Sequence, residues 1–209
     1  MIWVYGICSR YVRPHLPVHG RGQAPLEIVA HGSLLAVVSH AADGEESPST
    51  EGLHAHARVV DALMDQTTVL PVRFGTHFAE PLAVRSALAV RRQPLLAALA
   101  QVGGCVEMAV RASLPDRRHL VAVDRLPYPP DRRLKDALHD PLAGLAVAAR
   151  VWPALVPGEV LRAAYLVPRA ELPAFQEAAA ELEQAFPRVA LTCTGPWPTY
   201  SFVDGADAR

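Results

Sequence analysis

The feature that most constrains the fold is an amphipathic helical pattern from Glu171 to Phe186, enclosed by two strand-like runs. The run before it, 161–167, alternates in the way of a half-buried strand, and the run after it, 189–194, has strand composition. A helix of this kind buries its apolar face against a sheet formed by such strands. Its apolar residues recur at helical spacing and are Leu172, Phe175, Ala179, Leu182 and Phe186.

Other segments of the second half extend this pattern. Residues 105–112 alternate between apolar and other side chains, so Glu107 and Arg111 share the face opposite the apolar one. A polar, proline-rich connection over 124–131 precedes a predicted helix over 132–150, which Pro141 should break. The stretch from Val151 to Glu159 is interpreted as a connection.

A last short strand is predicted at Tyr200–Val203, where Tyr200 and Phe202 would share a face. The second half then has the order β, α, β, α, β, followed by this short strand. Helices on one face of a small, mostly antiparallel sheet form an α+β domain, and a ferredoxin-like arrangement is the simplest one that fits.

The first half begins with strands. Residues 2–8 are β-branched and aromatic, which is typical of a strand. Two apolar runs at 26–30 and 33–38 flank His31-Gly32, a tight-turn sequence that predicts a hairpin. An exposed polar loop is expected over 43–50.

A helix is predicted to follow from near Glu51. Its apolar residues repeat at spacings that place them on one face, with two more widening the stripe. The stripe consists of Leu53, Ala57, Val60 and Met64, widened by Val59 and Leu63.

Prolines organise the chain after this helix. The run Thr67–Arg73 is strand-like, but Pro71 cannot donate a hydrogen bond to a sheet, so this strand lies at an edge or carries a bulge. A second helical stretch runs from Pro81 to Val102 and should kink or split at Pro94. Gly103-Gly104 ends it, which predicts two α+β domains, 1–103 and 104–209.

Composition and charge exclude several classes of protein. Apolar residues make up 51% of the chain, as in a globular protein, and Lys+Arg 20 against Asp+Glu 21 gives no basic excess for nucleic acid. The start of the chain lacks the pattern of a signal peptide, and no apolar run approaches the ~20 residues that span a bilayer. We therefore expect a cytoplasmic protein without membrane contact.

The sequence offers no pattern of catalysis, cofactor binding or metal binding. His54 and His56, two residues apart on a helix, diverge too far to face one ion. Cys8, Cys105 and Cys193 are distant from one another and are interpreted as small buried residues. Nucleophile elbows, phosphate loops and dinucleotide fingerprints are lacking, so we predict no enzyme, no cofactor and no metal.

Two segments stand out as candidates for binding a partner. In 69–76, Arg73 either clamps a partner's carboxylate or carbonyl groups or pairs within the fold, and Phe74 follows it. Gly75 permits a positive φ at the end of that strand. In 195–203, Trp197 and Tyr200 either seal the core or form an exposed docking patch.

Several segments together resemble the F/L family of gas vesicle proteins, in the family's order along the chain. They are WVYGI at 3–7, LLAVVS at 34–39, the helix with His56 and Val59-Val60, VLPVRFGTHF at 69–78, GCVEMAVR at 104–111, AAYLVPR at 163–169 and GPWPTYSFV at 195–203. Thr199 stands where the family usually has a second proline, and the stretch 113–159 matches poorly.

The resemblance implies an accessory or minor component of gas vesicles, which are cytoplasmic gas-filled shells built from a small, hydrophobic, β-rich protein. Its partners would be that shell protein and other gas vesicle accessory proteins. The implied fold has two α+β domains, the second a modified ferredoxin-like fold. Two other functions remain open from the residues alone: a small-molecule-binding regulatory module and, less well supported, a metal-dependent enzyme.

Overall fold

The computed structural model describes residues 1–9, 15–16, 18–40, 49–114 and 132–203. The chain divides into two compact units, one formed by Met1–Gly104 with the segment from Pro198 onward, the other by Cys105–Trp197. The predicted domains 1–103 and 104–209 stay a prediction, and these units differ from them in the placement of the last segment. The connection predicted over 124–131 and residues 43–48 of the predicted loop lie outside the described residues.

The first unit is built on an antiparallel sheet. Its strands follow the order β2-β3-β1-β4, and β5 also pairs with β1. The β2–β3 hairpin confirms the predicted turn, in which Gly32 has a φ of +56°. The strands are β1 (Ile2–Ser9), β2 (Leu26–His31), β3 (Leu34–His40), β4 (Val69–Pro71) and β5 (His77–Phe78).

The helices of the first unit are α1 (Thr50–Met64), α2 (Pro81–Val90) and α3 (Arg92–Val102). The predicted split is confirmed, because α2 ends and α3 begins on either side of Arg91. Pro94 lies in the first turn of α3, where its missing N–H has no partner to lose. Pro71 ends β4 at the edge of the sheet in the described chain, as predicted.

A bulge in β1 shifts the alternation of its side chains, so that Cys8 joins Trp3 and Tyr5 on one face and Ile7 joins Val4 on the other. Val4 pairs with Val38 and Gly6 pairs with Val37, so Tyr5 is the extra residue. Trp3, Tyr5 and Val37 pack in one apolar cluster with α1 residues. On the other face Val4, Ile7 and Ala36 meet α2 and α3 through Val84, Leu88 and Leu95.

The predicted buried face of α1 is wrong in part. Leu53 is 46% exposed and Ala57 is also exposed, whereas the polar His56 is buried. Apolar periodicity does not predict this burial, because His56 is a polar residue that becomes buried by forming a hydrogen bond. The buried residues of α1 are Gly52, Ala55, His56, Val59, Val60 and Leu63.

The second unit is built on a second antiparallel sheet with the order β7-β8-β6-β9. Met108, Tyr165 and Phe175 lie in its core, which both α4 and α5 join. The predicted stripe of α5 is confirmed, since all its residues are buried or pack against this core. The elements are β6 (Cys105–Ser113), α4 (Arg132–Ala143), β7 (Ala148–Val151), β8 (Glu159–Pro168), α5 (Leu172–Ala185) and β9 (Ala190–Trp197).

Two elements predicted in the second half are wrong, and Pro141 lies inside α4 instead of breaking it. The helix predicted over 132–150 ends at Ala143, and part of its length forms the strand β7 instead. The strand predicted at Tyr200–Val203 is a 3-10 turn at Tyr200–Phe202, in which the N–H of Phe202 donates to the carbonyl of Thr199 at 3.0 Å. Phe202 is therefore buried while Tyr200 stays exposed, and the two do not share a face.

Gly6 tests the close approach that the bulge requires. A Cβ built at Gly6 would lie 2.6 Å from Cγ2 of Val69 and 3.4 Å from Cδ1 of Leu63, both in the core. Because Val69 is β-branched and buried, it cannot easily move aside. We expect Gly6→Ala to lower the free energy of unfolding by about 1–3 kcal/mol in urea titrations.

Gly144→Ala is the matched control for this substitution. A Cβ there meets only the carbonyl oxygens of Asp140 and Pro141, each at 3.6 Å, which is ordinary contact. Its midpoint in urea should stay close to that of the native chain. Equal midpoints for Gly6→Ala and Gly144→Ala would contradict the close packing around the bulge.

Candidate functional site

A buried group of aromatic and polar side chains lies between β1 and α1 in the first unit. We name it the Arg21 cluster; its members are Trp3, Tyr5, Arg21, His56 and Phe74. It includes one residue predicted to bind a partner, Phe74, and supports the loop that carries another, Arg73. The cluster therefore connects the predicted binding segment, which carries Arg73 and Phe74, to the core of the first unit.

Tyr5 anchors the cluster from the face of β1 that it shares with Trp3, the face packed on α1. Its Oη lies 2.7 Å from Ser39 Oγ and accepts a hydrogen bond from the backbone N–H of Arg21 at 2.8 Å. Gly20 permits this approach, since a Cβ there would clash with the Tyr5 hydroxyl. These contacts fix the segment around Arg21 against the sheet.

The Arg21 side chain is only 2% exposed and lies between two aromatic rings. Its Cζ is 4.1 Å from the centroid of the Trp3 ring and 5.5 Å from that of Phe74. Cation–π attraction of this kind is strongest where the cation has lost its water. Gly52 of α1 makes room for it, because a Cβ there would lie 2.8 Å from Arg21 Nε.

His56 joins the cluster to the end of β4. Its Nε2 donates a hydrogen bond to the carbonyl oxygen of Val72 at 2.8 Å. The ring centroid lies 5.2 Å from that of Tyr5 and 5.6 Å from that of Phe74. Burial lowers the pKa of His56; the Val72 hydrogen bond opposes this, and the charge of Arg21 adds to it.

The loop after β4 places the two predicted residues of this segment in different surroundings. Arg73 is exposed, whereas Phe74 is half-buried against His56 and Arg21. The loop closes with a hydrogen bond from the N–H of Thr76 to the carbonyl of Arg73 at 3.1 Å. Gly75 has a φ of +91°, so the predicted positive φ is confirmed.

The other two predicted residues expose aromatic surface. Trp197 is 49% exposed, and its Nε1–H donates to Thr194 Oγ1 at 3.2 Å. Tyr200 is 44% exposed, yet burial, with a second contribution from the Asp61 carboxylate, raises the pKa of its hydroxyl to about 12. Part of Tyr200 therefore reaches solvent, while its hydroxyl lies in a desolvated environment near Asp61.

Titratable groups elsewhere in the described chain show no reactive arrangement. Cys8, Cys105 and Cys193 are free, and burial raises the pKa of each thiol, that of Cys8 to about 12. Thiols with raised pKa values are poor nucleophiles at neutral pH. His54 is exposed and His56 buried, so the two do diverge as predicted.

The structure describes residues 1–9, 15–16, 18–40, 49–114 and 132–203. Among these, no three or more histidine, cysteine or acidic residues are grouped to hold a metal ion. No helix of this part of the chain is both long and apolar enough to cross a bilayer.

Sequence reasoning missed Arg21, the centre of the cluster. Its flanking glycines were visible as Gly20-Arg21-Gly22 but lacked the helix of a phosphate loop. The signal that would have found it is steric: Gly20 admits the Tyr5 hydroxyl, and Gly22 adopts a φ of +58°. Because Gly20 and Gly22 lack a Cβ, the backbone around Arg21 can pack closely against the sheet.

Along nearly its whole length the chain is similar to known proteins of gas vesicles. It is 26% identical over 207 residues to gas vesicle protein F1 of Halobacterium salinarum, covering 97% of the chain and 92% of that protein. It is 31% identical over 235 aligned positions to gas vesicle protein L of a Streptomyces species, covering 90% and 87%. The class defined by these relatives is that of gas vesicle proteins.

A family model described as gas vesicle synthesis protein GvpL/GvpF matches residues 1–126 and 130–204. The chain belongs to the GvpL/GvpF family, which confirms the resemblance read from its segments. The match covers most of 113–159, the stretch where individual motifs were weak.

Two crystal structures share the fold. GvpF from Anabaena superposes with a TM-score of 0.82 at 17% identity, covering 97% of this chain and 95% of that one. GvpF from Microcystis aeruginosa gives 0.80 at 20% identity, covering 97% and 98%. The mixture of helices and antiparallel sheets predicted from the sequence is thereby confirmed.

The buried His56 makes stability depend on pH. Its folded pKa lies below the ordinary value of 6.5, so the unfolded chain binds more protons as the pH falls through that value. His56 therefore makes the free energy of unfolding decrease on acidification below about pH 6.5. His56→Gln can still donate to Val72 and should flatten this part of the dependence in urea titrations between pH 7.5 and 5.

His54→Gln is the matched control, because His54 lies on the same helix but is exposed. It should leave the pH dependence of the native chain intact. If His56→Gln leaves the pH dependence of the free energy of unfolding unchanged, or if His54→Gln abolishes it, the buried imidazole of His56 is not its cause.

Proposed function

We propose that this protein supports gas vesicle assembly in the cytoplasm by binding the hydrophobic shell protein, without catalysing a reaction. The observation that carries the proposal is the half-exposed indole of Trp197 in a chain that belongs to the GvpL/GvpF family. Tryptophan is enriched at the centres of protein interfaces because it buries a large surface at little entropic cost. Other gas vesicle accessory proteins are further partners under this proposal.

Such a protein would be needed because the shell subunit is prone to aggregate before it assembles. A small, β-rich, apolar subunit exposes strand edges and apolar surface, both of which promote aggregation. An accessory protein shields them with apolar surface of its own. Besides Trp197, Leu155 is 70% exposed and Val156 58% exposed, on the connection between β7 and β8.

Arg73 and Phe74 complete the proposed contacts. Arg73 is exposed on a loop whose neighbour Phe74 is held by the Arg21 cluster. A loop fixed in this way loses little conformational entropy on binding, so its guanidinium can meet a carboxylate or carbonyl of the partner at low cost. Tyr200 offers the same kind of amphipathic surface as Trp197.

We also propose that the chain forms two domains and that the second has a modified ferredoxin-like fold. The described elements of Cys105–Trp197 follow the order β, α, β, β, α, β, and the sheet order is β7-β8-β6-β9. This order supports a modified ferredoxin-like domain, since the two central strands β8 and β6 come from the two halves of the motif. Each compact unit has its own apolar core cluster, which supports two domains.

An apolar cleft in the first unit bears on the regulatory alternative. A small cleft lies between the sheet and α2 and α3, lined mostly by aliphatic residues with Thr76 and Arg91 among them. Small-molecule sites usually add several convergent polar groups that fix a ligand's orientation. This lining resembles the inner surface of a packed core more than a ligand site, which favours the shell-binding proposal.

Binding to purified shell protein tests the proposal. Trp197→Ala should raise the Kd about tenfold or more, because truncating an interface tryptophan removes apolar contact worth about 2 kcal/mol. Trp197→Phe should recover most of the affinity. Since the contact is mainly apolar, raising the salt to about 1 M should change the Kd little.

Arg73→Ala should weaken binding, whereas Arg85→Ala, at another exposed arginine of the first unit, is the matched control and should not. Circular dichroism of each variant checks that the fold is kept. Loss of binding at high salt, or full binding by well-folded Trp197→Ala and Arg73→Ala, would refute the proposed contacts. A native chain that never binds the shell protein would refute the function itself.

A further inference from the structure

Two arginines of neighbouring strands lie side by side in the sheet of the second unit. The register pairs Arg111 of β6 directly with Arg162 of β8. Val110 and Leu161, their neighbours in sequence, lie in the core with the helices. Because side chains alternate along a strand, both arginines lie on the sheet face opposite that core.

Neither arginine forms an ion pair within the part of the chain that the structure describes. Glu107, on the same face of β6, lies two side-chain positions along the strand, about 13 Å away. Glu159 is buried and accepts a hydrogen bond from the N–H of Leu155 at 2.7 Å. Like charges directly opposite each other on antiparallel strands are destabilising, so this pair costs the free protein stability.

The surroundings of the pair suit a planar anionic group. Arg162 Cζ lies 5.6 Å from the centroid of the Trp152 ring, which restrains the guanidinium. Arg111 is exposed, and on its other side the register places the exposed Thr192 of β9. Two guanidinium groups and a hydroxyl thus line one row across three strands.

We propose that this row docks an acidic segment of a partner protein, with a carboxylate held between Arg111 and Arg162. Charge complementarity argues for this occupant, since a carboxylate relieves the repulsion and accepts paired N–H donors from each guanidinium. A nucleic acid fits less well, because its phosphates call for an extended basic stripe and the chain has a net charge of −1. The surface is distinct in chemistry from the apolar contact proposed above, and it does not depend on that contact.

A blocked hexaglutamate peptide is the probe for this site. In NMR titrations at about 50 mM salt, it should shift the side-chain N–H signals of Arg111, Arg162 and Trp152. Arg111→Gln and Arg162→Gln should each weaken binding about tenfold, the loss expected for a charge-assisted hydrogen bond. Binding should weaken steeply as the salt is raised.

Arg188→Gln, at an exposed arginine after α5, is the matched control and should bind like the native chain. The proposal is overturned if hexaglutamine produces the same shifts, if inorganic phosphate at equal charge concentration competes fully, or if Arg188→Gln weakens binding as much. It is also overturned if hexaglutamate leaves Arg111 and Arg162 unshifted.

Thermal unfolding without peptide separates docking from a structural role. If the pair serves binding, Arg111→Gln removes a repulsion and the Tm of the free protein should be equal to or above that of the native chain. A lower Tm for Arg111→Gln would indicate that the arginine stabilises the fold and would contradict the proposal. Neither measurement uses the shell protein, so this inference and the proposed function fail separately.

Discussion

The bulge at Tyr5 is the constraint on which the first unit depends. It brings Cys8 to the α1 face beside Trp3 and Tyr5, and it leaves Gly6 against Val69 and Leu63. Without the bulge, strict alternation from Trp3 and Tyr5 would bring Ile7 instead of Cys8 to that face. The Tyr5 hydroxyl holds the strand in place through Ser39 and the N–H of Arg21. A buried hydroxyl without partners is costly, so the register of β1 and the polar network stabilise each other.

Much of the fold was predictable because it rests on local periodicity. The stripe of α5, the hairpin at Gly32 and the break near Pro94 each follow from residues within one or two turns of chain. The face of α1 was not predictable, since His56 is buried by a hydrogen bond to Val72, 16 residues away. The strand predicted at Tyr200–Val203 failed because alternation over four residues does not distinguish a strand from a tight turn.

The candidate site likewise has features that the sequence predicted and features that it did not. The turn at Gly75 could be anticipated from glycine's conformational freedom. The sequence left open whether Trp197 seals the core, and the structure exposes 49% of it. Arg21 could not be anticipated, because its burial is decided by contacts with Trp3 and Phe74, which are distant in sequence. Likewise, the alternation along β6 predicted the face that Arg111 takes, but only the register with β8 brings Arg162 beside it.

The path of the chain between the two units has an evolutionary consequence. Contacts group the segment from Pro198 onward with Met1–Gly104, so the second unit interrupts the first in sequence. Its two ends are neighbours, because β6 and β9 are adjacent antiparallel strands and Glu107 pairs with Trp197. A unit whose two ends are neighbours can be inserted into a chain, or removed from it, without moving the flanking ends apart.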